Sequence, residues 1–144
     1  MTEQIGILIK NLNNDLQRYA SREAKKIGIT QVQMNVIDFV YRNEKSRKLY
    51  QTDVEREFNI QKSSATALLQ LMEKKQLIIR TPSRQDNRLK VITLTSKSQL
   101  VVNRIRTFFD QNDEQLKIFL GDQADQFTTS LQLLLAKMEN LLDH

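Results

Sequence analysis

The sequence contains no cysteine and no tryptophan, and histidine, proline and glycine are scarce. Its 144 residues include one histidine, one proline and three glycines. Without cysteine the chain forms no disulfide, no thiolate zinc site and no cysteine redox switch. The single histidine is the terminal His144, so we expect neither a histidine general base nor a histidine-built metal site. So few glycines and prolines favour long uninterrupted helices, and the length favours one domain.

Long apolar runs and the usual catalytic motifs are also missing. No run approaches the roughly 20 apolar residues of a membrane span. The N-terminus carries the acidic Glu3 and lacks a signal-peptide layout, so we expect a cytoplasmic protein with no membrane partner. There is no nucleophile elbow or phosphate-binding glycine loop, and we interpret Asp53, Glu55 and Glu57 as a solvated helix face. We therefore predict a protein that is not an enzyme and needs no cofactor or metal.

Charge is distributed unevenly along the chain. The formal net charge is +5. Residues 61–100 hold eight basic and two acidic residues, a net +6, whereas residues 107–144 hold two basic and seven acidic residues, a net −5. A basic middle beside an acidic end is typical of a polyanion-binding lobe next to a lobe with another role. A solvated charged surface is the plainer interpretation.

The first half of the chain predicts four helices. Apolar spacing predicts a helix over residues 5–26, ended by a left-handed Gly28, and a second helix capped by Thr30. A short helix over residues 51–58 and another over about 62–75 are joined by a tight turn at Asn59, a residue that tolerates left-handed geometry. Two helices joined in this way indicate a helix-turn-helix.

A β-hairpin with a charged tip is predicted directly after the fourth helix. Leu77–Ile79 and Val91–Thr95 are β-branched runs, and the polar loop between them holds Pro82 and two arginines. A helix followed by a basic-tipped hairpin is how a winged helix binds DNA. The predicted fold is therefore mainly α with a small β-hairpin wing, a winged helix-turn-helix.

Candidate DNA contacts fall at the start of the fourth helix and in the wing. Residues at the start of a recognition helix meet base edges and phosphates in the major groove, and a wing arginine can enter the minor groove. In the wing we expect Asp86 to pair with an arginine and set its direction. Ser63 and Ser64 have a second interpretation, in which they only cap the helix. The candidate residues are Gln61, Lys62, Ser63, Ser64, Thr66, Arg84, Asp86, Arg88 and Lys90.

The terminal helices carry apolar stripes. After the hairpin we predict a long fifth helix capped by Ser96 and a sixth capped by Asp122. The last stripe steps by 4, 3, 4, 3, which is either a packed core stripe or a heptad seam in an oligomer, and we favour dimerisation. The candidate dimerisation residues are Ile5, Leu8, Leu12, Leu16, Phe127, Leu131, Leu134, Met138 and Leu141.

These motifs, in this order, resemble the MarR family of bacterial transcription regulators over nearly the whole chain. Gly28-Ile29-Thr30 looks like the family's Gly-Leu-Thr, and residues 49–80 are similar to its helix-turn-helix. Asp86-Asn87-Arg88, followed by Leu94-Thr95, matches its D-x-R-x-x-x-x-x-L-T wing signature.

The resemblance implies a homodimer on a pseudo-palindromic operator. Residues 30–95 would form the DNA-binding lobe, and residues 1–28 and 96–144 a helical dimerisation lobe. It implies Arg88 at the minor groove and release of DNA by a small-molecule effector, often an aromatic acid. Ala67 replaces a common arginine of the fourth helix, so the wing should carry more of the binding. Gln76 replaces a common glycine, at a cost of about 1 kcal/mol if that position is left-handed.

The predicted function is therefore a DNA-binding transcription regulator, most simply a repressor, whose partners are double-stranded DNA and a second copy of itself. One rival is a protein-interaction module of the same fold that binds an acidic partner. The other is a ligand-binding helical dimer that does not bind DNA. A gel shift against pooled duplex DNA separates the first rival from the regulator.

Overall fold

The fold is mainly α-helical with one antiparallel hairpin, as the sequence predicts. A computed structural model describes residues 3–143. In order along the chain, its elements are α1 (Ile5–Lys26), α2 (Gln31–Asn43), α3 (Gln51–Phe58), α4 (Lys62–Lys74), β1 (Ile78–Pro82), β2 (Lys90–Leu94), α5 (Ser96–Leu120), a 3-10 turn (Gly121–Gln123) and α6 (Ala124–Leu142).

Local signals account for the boundaries in the first half of the chain. Gly28 follows α1 with a left-handed φ of +75°, as predicted. Thr30 and Gln33 form a capping box, in which the Thr30 hydroxyl accepts from the Gln33 amide and the Gln33 side chain accepts from the Thr30 amide. Asn59 ends α3 with a φ of +50°, which allows the tight turn into α4.

Two predicted helix caps are wrong. Ser96 is already the first residue of α5, and the Thr95 hydroxyl accepts from the Ser98 amide at 3.0 Å, so Thr95 caps the helix. Asp122 lies in the 3-10 turn, and α6 begins at Ala124 with no side-chain cap. The left-handed Gly121 starts this extra turn, which moves the α6 boundary beyond Asp122.

The hairpin extends further than predicted. Ile78 pairs with Leu94, and the register runs to Pro82 opposite Lys90, so Pro82 belongs to β1 and not to the loop. Proline is tolerated there because it is the last residue of an edge strand and need not donate to the ladder. The outer edge of β2 contacts the chain before α3, since the Ile92 amide donates to the Leu49 carbonyl at 2.8 Å.

The chain divides into two compact units, Met1–Arg106 and Thr107–His144. The first unit has a core drawn from every helix within it and from the hairpin, including Met34, Ile37, Leu69, Ile92 and Ile105. Within α5, Leu100 is 85% exposed, whereas Val102 and Ile105 are buried. Among residues 107–143 of the second unit, none is buried.

Candidate nucleic-acid interface

The first turn of α4 presents exposed polar side chains. Gln61, Lys62, Ser63 and Ser64 are all exposed. The N-cap is Gln61, and it makes no side-chain capping bond, so the interpretation of the two serines as caps is wrong. Within the described part of the chain, neither serine hydroxyl has a hydrogen-bond partner. Both can therefore donate to and accept from an external group.

Thr66, one turn further along α4, has a hydroxyl that is hydrogen-bonded within the protein. Its hydroxyl donates to the Lys62 carbonyl at 2.9 Å and accepts from the Gln51 side-chain amide at 2.8 Å. A hydroxyl has one donor and two acceptor positions, so Thr66 can accept only one further bond without breaking these contacts. Gln51, the first residue of α3, thereby joins the two helices of the helix-turn-helix.

Asp86 organises the tip of the wing. One of its carboxylate oxygens accepts from the Arg88 amide at 3.0 Å and from Arg88 Nε at 3.2 Å, and the other accepts from Arg88 Nη2 at 3.3 Å. The first contact forms an Asx-type turn, and the other two direct the guanidinium. Arg88 nevertheless remains 91% exposed. The predicted pairing of Asp86 with an arginine is thus present, with Arg88 as the partner.

The same contacts hold Asp86 in its charged form. The side-chain hydrogen bonds from Arg88, followed by the one from its backbone amide, lower the pKa of Asp86 below its ordinary value. The turn is therefore complete at neutral pH and weakens only as the pH falls through this lowered pKa. Arg84 and Lys90, on either side of the tip, are exposed and make no ion pair within the described residues.

A cleft of about 440 Å³ separates the helix-turn-helix from the wing. Its lining includes Lys62 and Thr66 from α4 together with Arg88 and Lys90 from the hairpin. Glu55 is the acidic residue among those lining it. The structure therefore brings four of the candidates together at one cationic cleft, namely Lys62, Thr66, Arg88 and Lys90. The other five candidates do not line this cleft: Gln61, Ser63, Ser64, Arg84 and Asp86.

Three features of the helix-turn-helix and wing were not found from the sequence. Gln51 contacts α4 across 15 positions of sequence, and Arg80 of β1 bonds to Glu73 of α4 across seven. A local sequence pattern does not indicate contacts between different helices and strands. The third feature is Asp53, whose side chain accepts from the Tyr50 amide at 2.8 Å and is mostly buried. The interpretation of Asp53 as part of a solvated face is wrong, although its position in the first turn of α3 is a helix-start signal.

The candidate dimerisation residues lie on open apolar surfaces. Leu16 is half-buried and the other eight are exposed, with the five of α6 between 38% and 71% exposed. The five seam side chains of α6 are all exposed, so they are not buried as an internal core stripe would be. Residues 3–143 contain no helix long and apolar enough to cross a membrane and no cluster of three or more side chains suited to a metal ion.

Comparisons with known proteins agree with this geometry. A sequence profile of the MarR family matches residues 27–89. The transcription regulator MarR from Oenococcus oeni PSU-1 is 34% identical, with 95% of this chain and 99% of that chain covered and a TM-score of 0.81. A search of curated protein sequences finds no match.

Two more distant structures share the fold. MepR from S. aureus, solved as a DNA complex, is 22% identical, with a TM-score of 0.85 and coverage of 95% of this chain and 99% of that one. A MarR transcriptional regulator from Methanosarcina mazei Go1 is 19% identical, with a TM-score of 0.81 and coverage of 95% and 97%. The identity to the Oenococcus protein over nearly the full length of both chains decides the classification. The chain belongs to the MarR family and has the winged helix-turn-helix fold of its transcription regulators.

Proposed function

We propose that this protein binds double-stranded DNA as a homodimer and represses transcription from a pseudo-palindromic operator. The observation that carries the proposal is the joint exposure of the first turn of α4 and of Arg88 beside one cationic cleft. Residues 30–95 act as the DNA-binding lobe. The first turn of α4 reads base edges in the major groove, and Arg88 enters the minor groove.

Only a small set of α4 side chains is available to contact base edges and phosphates directly. Gln61 can bond to adenine through two atoms, Ser63 and Ser64 can donate or accept, and Lys62 neutralises phosphate. Ala67 offers no such group, so the wing carries a larger share of the affinity. Thr66 contributes through its remaining acceptor position, while its other bonds set the relative placement of α3 and α4.

Homodimerisation is supported by the exposed apolar side chains of α1 and α6. Burying the exposed part of a seam side chain contributes on the order of 1 kcal/mol. A spacing of 4, 3, 4, 3 is self-complementary, so a second copy of α6 is the simplest occupant. Release of DNA by a small-molecule effector remains a prediction from the family resemblance.

Selection of bound sequences from random duplex DNA tests the proposal. A dimer with two wings and two recognition helices should enrich a palindrome whose half-sites are about one helical turn apart. Repression is then tested by placing that palindrome over a promoter that drives a reporter, which expression of the protein should silence. No enriched sequence, together with no shifted duplex at low salt, would favour the protein-interaction rival.

A further inference from the structure

The two acidic residues of the basic stretch are both bonded to arginines of the hairpin. Between residues 61 and 100 the acids are Glu73 and Asp86. Asp86 bonds to Arg88 within the wing tip, whereas Glu73 lies on α4 and bonds to Arg80 on β1. The Glu73–Arg80 pair therefore joins the two elements that the proposed function assigns to the major and the minor groove.

The pair is short, and its arginine side chain is largely buried. Arg80 donates from Nε at 2.9 Å and from Nη2 at 2.6 Å to the same carboxylate oxygen of Glu73. The side chains are 13% exposed for Arg80 and 35% exposed for Glu73. Charge-assisted bonds at this burial are stronger than surface ion pairs, and loss of one partner leaves the other charge poorly solvated. Arg80 is consequently less available to DNA than the exposed Arg84 and Arg88.

Several other hydrogen bonds lie close to the turn that joins α4 to the hairpin. The Leu77 amide donates to the Met72 carbonyl at 2.8 Å, and the Thr95 hydroxyl donates to the Gln76 carbonyl at 2.6 Å. Lys97 Nζ donates to the Lys75 carbonyl at 2.9 Å. Glu73–Arg80 connects α4 to β1 further along the strand than these contacts. The hairpin is also held at Ile92, whose amide donates to the Leu49 carbonyl, and at Leu94, whose amide donates to the Glu44 carboxylate, but neither of these contacts reaches α4. Loss of Glu73–Arg80 therefore removes a direct side-chain link between β1 and the recognition helix.

We propose that Glu73 is a positioning residue, which sets the distance and direction of the wing relative to the recognition helix through Arg80. Because it concerns how the two DNA-contacting elements are held together, this inference rests on the proposed function. Simple electrostatics makes the opposite prediction. Removing Glu73 raises the positive charge of the basic stretch and should strengthen binding to a polyanion, whereas loss of positioning weakens binding.

A double-mutant cycle with Arg88→Ala tests the inference. Fluorescence anisotropy gives the affinity of wild type, Glu73→Gln, Arg88→Ala and the double variant for the selected palindrome. We expect Glu73→Gln to weaken binding about five-fold in the wild-type background and to have almost no further effect in the Arg88→Ala background. A wing that lacks the Arg88 side chain gains no DNA affinity from being correctly positioned. Tighter binding by Glu73→Gln, or effects that multiply independently, would overturn the proposal.

The matched control is Glu23→Gln, which removes the same charge from an ion pair of similar length. Glu23 accepts from Arg104 Nε at 3.0 Å and joins α1 to α5, away from both DNA-contacting elements. We expect Glu23→Gln to bind the palindrome with wild-type affinity and to show no coupling energy with Arg88→Ala. Thermal unfolding of each variant shows whether a loss of affinity reflects a loss of folded protein.

A measurement without DNA separates failure of this inference from failure of the proposed function. Because the chain has no cysteine, Gln70→Cys on α4 and Gln85→Cys at the wing tip accept two spin labels selectively. Labelled chain diluted in an excess of unlabelled chain reports the distance within one protomer. Glu73→Gln should broaden that distance distribution, and Glu23→Gln should not. An unchanged distribution would refute positioning by Glu73, whereas wild type that binds no duplex would refute the proposed function alone.

Discussion

Salt is the perturbation that most directly tests the cationic surface. Each protomer exposes Lys62, Arg84, Arg88 and Lys90 on the helix-turn-helix and wing, so a dimer presents eight such cations. Each phosphate contact contributes about −0.9 to the slope of log affinity against log salt concentration. Full engagement gives a slope of about −7, and complete neutralisation of the two Arg88 side chains by Asp86 would bring it to about −5.

Between about 50 and 200 mM salt, affinity for the selected palindrome should therefore fall by roughly 10³ to 10⁴. Fluorescence anisotropy titrations at several salt concentrations within this range give the slope. Arg88→Ala should weaken binding and make the slope shallower by up to about 2, because the dimer loses two groups that contact DNA. Lys137→Ala, a charge change on α6, should leave the slope unchanged. A wild-type slope shallower than about −3 would mean that most of these cations do not contact phosphate, which would refute the assigned surface.

Three further changes have defined outcomes. Asp86→Ala should weaken operator binding although it removes a negative charge, because the wing tip loses its turn. Wild type should show a similar loss of affinity only as the pH falls through the lowered pKa of Asp86. Tighter operator binding by the variant would contradict this prediction. Gln76 adopts a φ of +60° and its side chain is exposed, so Gln76→Gly should relieve about 1 kcal/mol of backbone strain. Because glycine also makes the unfolded chain more flexible, the free energy of unfolding in chemical denaturation should rise by only about 0.5 kcal/mol. Lys75→Gly, at a φ of −81°, relieves no strain and should destabilise the protein instead. Leu134→Asp on the α6 seam should give monomers in sedimentation and abolish operator binding, whereas Leu133→Asp, off the seam and also exposed, should remain dimeric.

At Gln76 the chain departs from the family pattern, which commonly has a glycine there, and the backbone of Gln76 is left-handed. The backbone must turn sharply between Lys74, the last residue of α4, and the start of β1, and a glycine would do so without strain. The Gln76 carbonyl accepts from Thr95, and its amide donates to the Glu73 carbonyl. These backbone bonds stabilise a conformation that the side chain disfavours, and both remain available to a glycine.

The sequence alone was sufficient to predict the elements governed by neighbours within one or two helical turns. The spacing of apolar residues predicted α1 and α3 with the bounds observed. Gly28 and Thr30 marked the turn from α1 to α2, and Asn59 marked the turn from α3 to α4. Such interactions link residues up to four positions apart, so the pattern of residue types reports them directly. Where two residues of similar capping ability are adjacent, as at Thr95 and Ser96, the pattern does not decide between them.

Tertiary structure alone decided which side chains are available for recognition. In sequence, Ser64 and Thr66 are equivalent hydroxyl residues of one helix, and Arg80 and Arg88 are equivalent arginines of one hairpin. Folding places Gln51 against Thr66 and Glu73 against Arg80, while it leaves Ser64 and Arg88 exposed. These pairings depend on the path of the chain through two turns. The residue types in the sequence therefore determined that a basic winged helix forms, and only the packing of its elements determined which of its polar groups hold the fold together and which face outward.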